Sequence, residues 1–112
     1  MKTKYHNKKV IYNGIKFDSK KEMKRYIELK LLEKNGVISN LKLQPKFLLQ
    51  PSYINAENKK IKAIYYIADF MYYDNKAKKC IIEDTKGMKT DVYKLKKKIF
   101  EYIYKGRIII EL

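Results

Sequence analysis

Tyr66-Ile67-Ala68-Asp69-Phe70, followed by Ile82-Glu83-Asp84-Thr85-Lys86-Gly87, decides how this chain is read, because it sets two acids and a lysine on neighbouring strands. The runs from Ile61 to Tyr73 and from Lys78 to Lys86 are separated by Asp74-Asn75-Lys76-Ala77. A tight turn centred between Asn75 and Lys76 pairs Asp69 with Ile82 and leaves Asp84 on the diagonal. Side chains alternate along a strand, so Asp69, Ile82, Asp84 and Lys86 share one face, and a diagonal pair lies about 7–8 Å apart. A slip of one residue would separate the carboxylates onto opposite faces. Glu83 alternates to the far face, as a structural or supporting acid, unless a bulge exchanges it with Asp84.

The acids matter because of what the chain lacks. Cys80 is the sole cysteine and His6 the sole histidine, which excludes an internal disulfide, a Cys/His zinc site and a Ser-His or Cys-His nucleophile pair. A metal must be held by carboxylate oxygen, which suits Mg²⁺ or Mn²⁺. The net charge is +15, from 27 Lys and Arg against 12 Asp and Glu, and this points to a polyanionic partner, nucleic acid before membrane surface. No apolar run approaches the roughly 20 residues of a membrane span, and the lysine-rich start is no secretory signal, so the expected location is cytoplasmic.

Outward from the acids, the 112 residues read as a single domain of the α/β class with a mixed sheet, residues 1–8 forming a basic arm. Lys9 to Phe17 around Asn13-Gly14 predicts a hairpin with a type I′ turn. Asp18-Ser19 opens a helix to about Lys34, with Met23, Tyr26, Ile27 and Leu31 as its apolar face and Asn35-Gly36 as its stop. Phe47 to Gln50, between Pro45 and Pro51, is expected to be an edge strand or a bend. The strand from Ile61 to Tyr73 is apolar on both faces and should be covered on both. Thr90-Asp91 caps a second helix whose apolar face is Val92, Leu95, Ile99, Tyr102 and Ile103, and Arg107 to Leu112 is a final strand. Lys89, Lys94, Lys97 and Lys98 form a stripe that could meet phosphates. Ser19 and Glu22 have capping-box spacing, which gives Glu22 a structural role by itself.

Taken together, Phe17-Asp18-Ser19-Lys20-Lys21-Glu22, Leu43-Gln44-Pro45, the Asp69 segment and the Asp84-Thr85-Lys86 segment resemble the PD-(D/E)XK nuclease superfamily. Within it, the chain is similar to a small phage- and prophage-encoded endonuclease family akin to Holliday-junction resolvases. Many such proteins have Pro before the first Asp, where this chain has Ala68. The resemblance implies a restriction-endonuclease-like αβββαβ core after the hairpin, with Asp69 and Asp84 as metal ligands and Lys86 as catalytic lysine. It adds Glu22 as a helix-borne acid of the site and Gln44 as a residue near metal-bound water or substrate. The implied activity is Mg²⁺- or Mn²⁺-dependent hydrolysis of DNA, in branched intermediates or duplex, by a homodimer, since symmetric cutting of a four-way junction needs two sites. A basic DNA-binding or packaging accessory protein without activity would share the charge but would not need the acids.

Overall fold

The computed structural model describes residues 9–85 and 89–112, and within them an α/β fold with a mixed central sheet, two helices and an N-terminal hairpin. The hairpin is β1 (Val10–Tyr12) and β2 (Ile15–Phe17). Asn13 and Gly14 both take positive φ, 52° and 76°, as a type I′ turn requires. Helix α1 (Lys20–Lys34) starts at Ser19, whose hydroxyl accepts the Glu22 amide at 3.1 Å. Its C-terminal end turns through Gly36 at φ 77°, with Val37 N bonded to Leu32 O.

From Ile38 to Asp74 the chain forms one long antiparallel ribbon that bends in the middle. Strand β3 (Ile38–Leu43) pairs with β8 (Phe70–Asp74), β4 (Lys46–Gln50) with β7 (Ile64–Ile67), and β5 (Tyr53–Ile54) with β6 (Lys60–Ile61). The bend falls at Gln44-Pro45 opposite Ala68-Asp69. There Gln44 takes φ 49°, its amide donates to Asp69 O at 2.9 Å, and Ala68 N donates to Pro45 O at 3.1 Å. The expected unbroken strand from Ile61 to Tyr73 is therefore three strands, β6, β7 and β8. The break also disturbs side-chain alternation, since Ala68 joins one core cluster and Phe70 the other.

The central sheet has the order β10-β9-β8-β3, where β9 is Lys79–Asp84 and β10 is Ile109–Glu111. β9 runs antiparallel to β8, and β10 runs parallel to β9 after the crossover through α2 (Asp91–Ile103). Phe70 faces Glu83 and Met71 faces Ile82, two residues away from the expected pairing, because the turn runs over Asn75–Lys78 with Lys78 at φ 58°. An offset of two keeps Met71 with Ile82 on the expected face of the β8–β9 ladder, while Asp69 stands at the break outside that ladder and Lys86 lies outside the described residues.

Helix α1 covers one face, where Phe17, Tyr26, Leu29, Ile38, Phe70 and Tyr72 are buried. Helix α2 covers the other with Tyr93 and Phe100 against Phe47, Tyr66, Ile82 and Ile109. Both helices are rotated from expectation. Ile27 and Leu31 are exposed while Glu22 is buried, and on α2 Val92, Leu95, Tyr102 and Ile103 face outward. Aromatic packing decides the rotation of α2: Phe100 meets Phe47, Tyr66 and Tyr104 with ring centroids 4.9–5.5 Å apart. The outer sides of Tyr65 and Ile67 on β7 are exposed, so coverage on both faces holds for β8 and not for β7.

Arg25 ties α1 to the sheet. Its Nε and one terminal nitrogen donate to the two oxygens of buried Glu83 at 2.7 and 2.6 Å, and the Tyr72 hydroxyl donates to the same carboxylate. Arg25→Ala would leave that carboxylate buried without its cation, a defect costing about 3–5 kcal/mol. Urea unfolding is expected to show a loss of that size, and a much smaller one for Lys30→Ala, whose ion pair with Glu33 lies at the surface.

Candidate functional site

Three acids approach one another at the end of the sheet where the ribbon bends. Asp69 stands at the break between β7 and β8, Asp84 closes β9, and Glu22 reaches in from the first turn of α1. Pro45 lacks an amide proton and Asp69 N bonds to Glu83 O at 3.1 Å, out of step with the ladder beyond it, so the strands diverge here. The Asp69 carboxylate uses that opening: one oxygen accepts both the amide and the hydroxyl of Thr85, each at 2.6 Å. Asp84 is fully buried on the α2 side and accepts the Tyr66 hydroxyl at 2.5 Å. Burial and the bond to Asp84 push the Tyr66 phenol far above its ordinary value, which keeps it a donor.

Glu22 is 4% exposed. Burial first, then the charges of Asp69, Asp18 and Asp84, push its carboxyl up to about 7, against a smaller downward pull from an Asp18 backbone hydrogen bond. Its amide completes the Ser19 cap and its carboxyl also accepts from the Asp18 backbone, so Glu22 serves the helix start while lying close to the other acids. Glu83 lies on the opposite face, committed to Arg25 and Tyr72, so the ladder keeps Asp84, not Glu83, on the Tyr66 side. Gln44 is exposed at the bend and lines a cleft of about 100 Å³ together with Glu22. Lys86 lies outside the described residues.

Among the described residues, no group of three His, Cys, Asp or Glu side chains is already arranged to hold an ion. The donor chemistry nonetheless fits one. Asp69 and Asp84 are hard oxygen donors, and Mg²⁺ binds through one or two carboxylates with water and phosphate in its other positions. Asp69, only partly buried, is the acid such an ion would meet first.

Basic clefts flank the acids on both sides. Lys89, Lys94, Lys97 and Lys98 line a single cleft of about 310 Å³ on the α2 side. Glu111 sits among them, 3.0 Å from Lys89 and 3.6 Å from Lys97, and accepts the Tyr93 hydroxyl at 2.6 Å. Tyr93 and the two lysines pull the Glu111 carboxyl down to about 2. Glu111 is paired in register with Asp84, which brings this cleft next to the acids. On the α1 side Lys21, Lys24 and Arg25 line a second cleft, of about 270 Å³, with Thr85.

Sequence reasoning missed Thr85, Tyr66, Arg25 and the second cleft. The signals were present: Arg25 follows Glu22 by three on the helix, and Lys21 and Lys24 are also three apart.

Glu22 gives the fold a pH dependence with a defined sign. Its folded value is raised, so the folded state holds a proton that the unfolded chain releases near 4.5, and stability falls as pH rises from about 4.5 to 7. In EDTA, Glu22→Gln is expected to be more stable than wild type by roughly 2–3 kcal/mol at pH 8, with the difference vanishing near pH 4.5. Urea titrations at the two pH values measure it, and equal stability at pH 8 would remove the repulsion assigned to this cluster.

Among the described residues, no helix is long and apolar enough to cross a membrane. No curated protein and no solved structure matches the chain. A family described as a protein of unknown function, DUF1064, matches residues 2–110, and the chain belongs to that family.

Proposed function

We propose that this protein is a metal-dependent DNA endonuclease of the PD-(D/E)XK kind, acting on branched or duplex DNA. The observation that carries the reading is that Asp69 and Asp84, from two other elements, lie close enough to buried Glu22 for their charges to help raise its carboxyl.

In this proposal Asp69 and Asp84 hold Mg²⁺ or Mn²⁺, with Glu22 as third acid. The ion supplies an acidified water and neutralises charge on the scissile phosphate. Thr85 fixes one Asp69 oxygen and Tyr66 one Asp84 oxygen, so each carboxylate is oriented before substrate arrives. Glu22, close to both carboxylates, would take up the proton of the attacking water. Lys86 directs its charge at a phosphate oxygen. The water oxygen bonds to phosphorus, the bridging ester oxygen leaves, and that oxygen gains a proton. A four-way junction is the substrate that best fits the resemblance, and its paired cuts call for a homodimer.

The test is cleavage of labelled four-way junction, linear duplex, single strand and RNA in Mg²⁺, Mn²⁺ or EDTA. Asp84→Asn and Lys86→Ala are each expected to abolish cutting while DNA affinity stays within about tenfold, since neither supplies the bulk of the phosphate contacts. Full cutting by both variants would refute the assigned site. Metal-independent binding with no cutting by wild type would favour the accessory-protein reading. A second expectation concerns stability: Mg²⁺ or Mn²⁺ should raise the wild-type Tm at pH 8 and much less at pH 5.5, and Asp69→Asn should remove that shift.

A further inference from the structure

The far end of the ribbon has no place in the core. Among the described residues, strands β5 and β6 pack on each other and on no other helix or strand, beyond the point where α2 covers β4 and β7. A two-stranded hairpin by itself is marginal in water. This one is nonetheless stiffened at its tip. Asn55 Oδ1 accepts the amides of Glu57 and Lys59, each at 2.9 Å, Asn55 N donates to Lys59 O at 2.9 Å, and Asn58 takes φ 63° to close the turn. Its surface combines exposed Tyr53 and Ile54 with exposed Lys59, Lys60 and Lys62, and Glu57 is the one acid between Pro51 and Ile67.

We infer that this arm is a DNA-contacting element, lying in a groove of the duplex that adjoins the acidic site. The inference rests on the reading of DNA as substrate. A two-stranded ribbon has the width that the major groove admits, and lysines beside small apolar and aromatic groups suit phosphates at the rim and base edges within. Charge complementarity selects the partner: a second copy of a chain at +15 would repel these lysines, whereas a polyanion would neutralise them. From Asp69 to Asn58 the chain spans at most roughly 36 Å at about 3.3 Å per residue, so the arm would meet duplex about one helical turn from the reacting phosphate. Its contacts would thus require a flanking duplex of that length, a length requirement that the acidic site does not impose.

The experiment compares wild type, the exposed triple variant Lys59→Gln/Lys60→Gln/Lys62→Gln, and a charge-matched control, Lys76→Gln/Lys78→Gln/Lys79→Gln, at the turn between β8 and β9. Binding to a labelled junction is measured in EDTA across salt, with arms of about 20 or about 5 base pairs, and the mass of each protein is followed by sedimentation. With long arms, the arm variant is expected to bind roughly 10- to 100-fold more weakly, with a log–log salt slope smaller by about 2–3, while the control changes under about threefold. With short arms, wild type and arm variant should bind alike. Equal losses in the two triple variants, losses independent of arm length, or losses accompanied by self-association would each overturn the inference. Metal-dependent cutting by wild type is scored separately. A wild type that never cuts but shows the arm-specific loss refutes the nuclease reading alone, one that cuts without that loss refutes the arm alone, and one that binds no DNA refutes both.

Discussion

Everything at the acidic end of this molecule depends on two backbone hydrogen bonds across a bend, Gln44 N to Asp69 O and Ala68 N to Pro45 O. They let one ribbon serve two layers: its base enters the central sheet under α1, and its middle becomes the platform on which α2 packs. A straight ribbon would carry Ala68 and Phe70 on the same face and close the gap in which Asp69 meets Thr85. Pro45 makes the straight form unavailable, since it cannot donate to the ladder, and Gln44 absorbs the turn in a left-handed conformation.

The adjacent acids Glu83 and Asp84 show how one strand end can carry two functions. Alternation sends them to opposite faces. Glu83 meets a planar guanidinium in two-point geometry, which locks α1 against the sheet and with it the position of Glu22. Asp84 accepts the Tyr66 hydroxyl, a neutral donor that orients one of its oxygens. The ion pair of Glu83 therefore holds the helix in place from one face of the strand, while Asp84 faces Tyr66 on the other.

Elements set by local chemistry were legible in the sequence. Asn13-Gly14 fixed the hairpin, Ser19 and Thr90 opened the helices, and the alternation around Asp84 placed it apart from Glu83. What escaped was set by tertiary packing. The turn after β8 took two more residues than its composition suggested, because Lys78 accepts a left-handed φ. Both helices carry apolar residues over a broad arc, and only the shapes they meet, Phe47 and Tyr66 for α2, Phe70 and Tyr72 for α1, choose which part turns inward. Glu22 was legible as a cap through its spacing from Ser19. Its proximity to Asp69 and Asp84 depends on the docking of α1, to which no local pattern points.

The β5–β6 arm also has two unpaired edges, each presenting amide and carbonyl groups that a strand from another molecule could join. Ile54 and Ile61 would make such edges adhesive if they stood alone. Ile54 is instead paired across the ribbon with Lys60, and Lys60 and Lys62 bracket Ile61 along the chain. Each cation would have to be desolvated next to its counterpart before a foreign strand could add, so the same side chains act as gatekeepers against edge-to-edge aggregation.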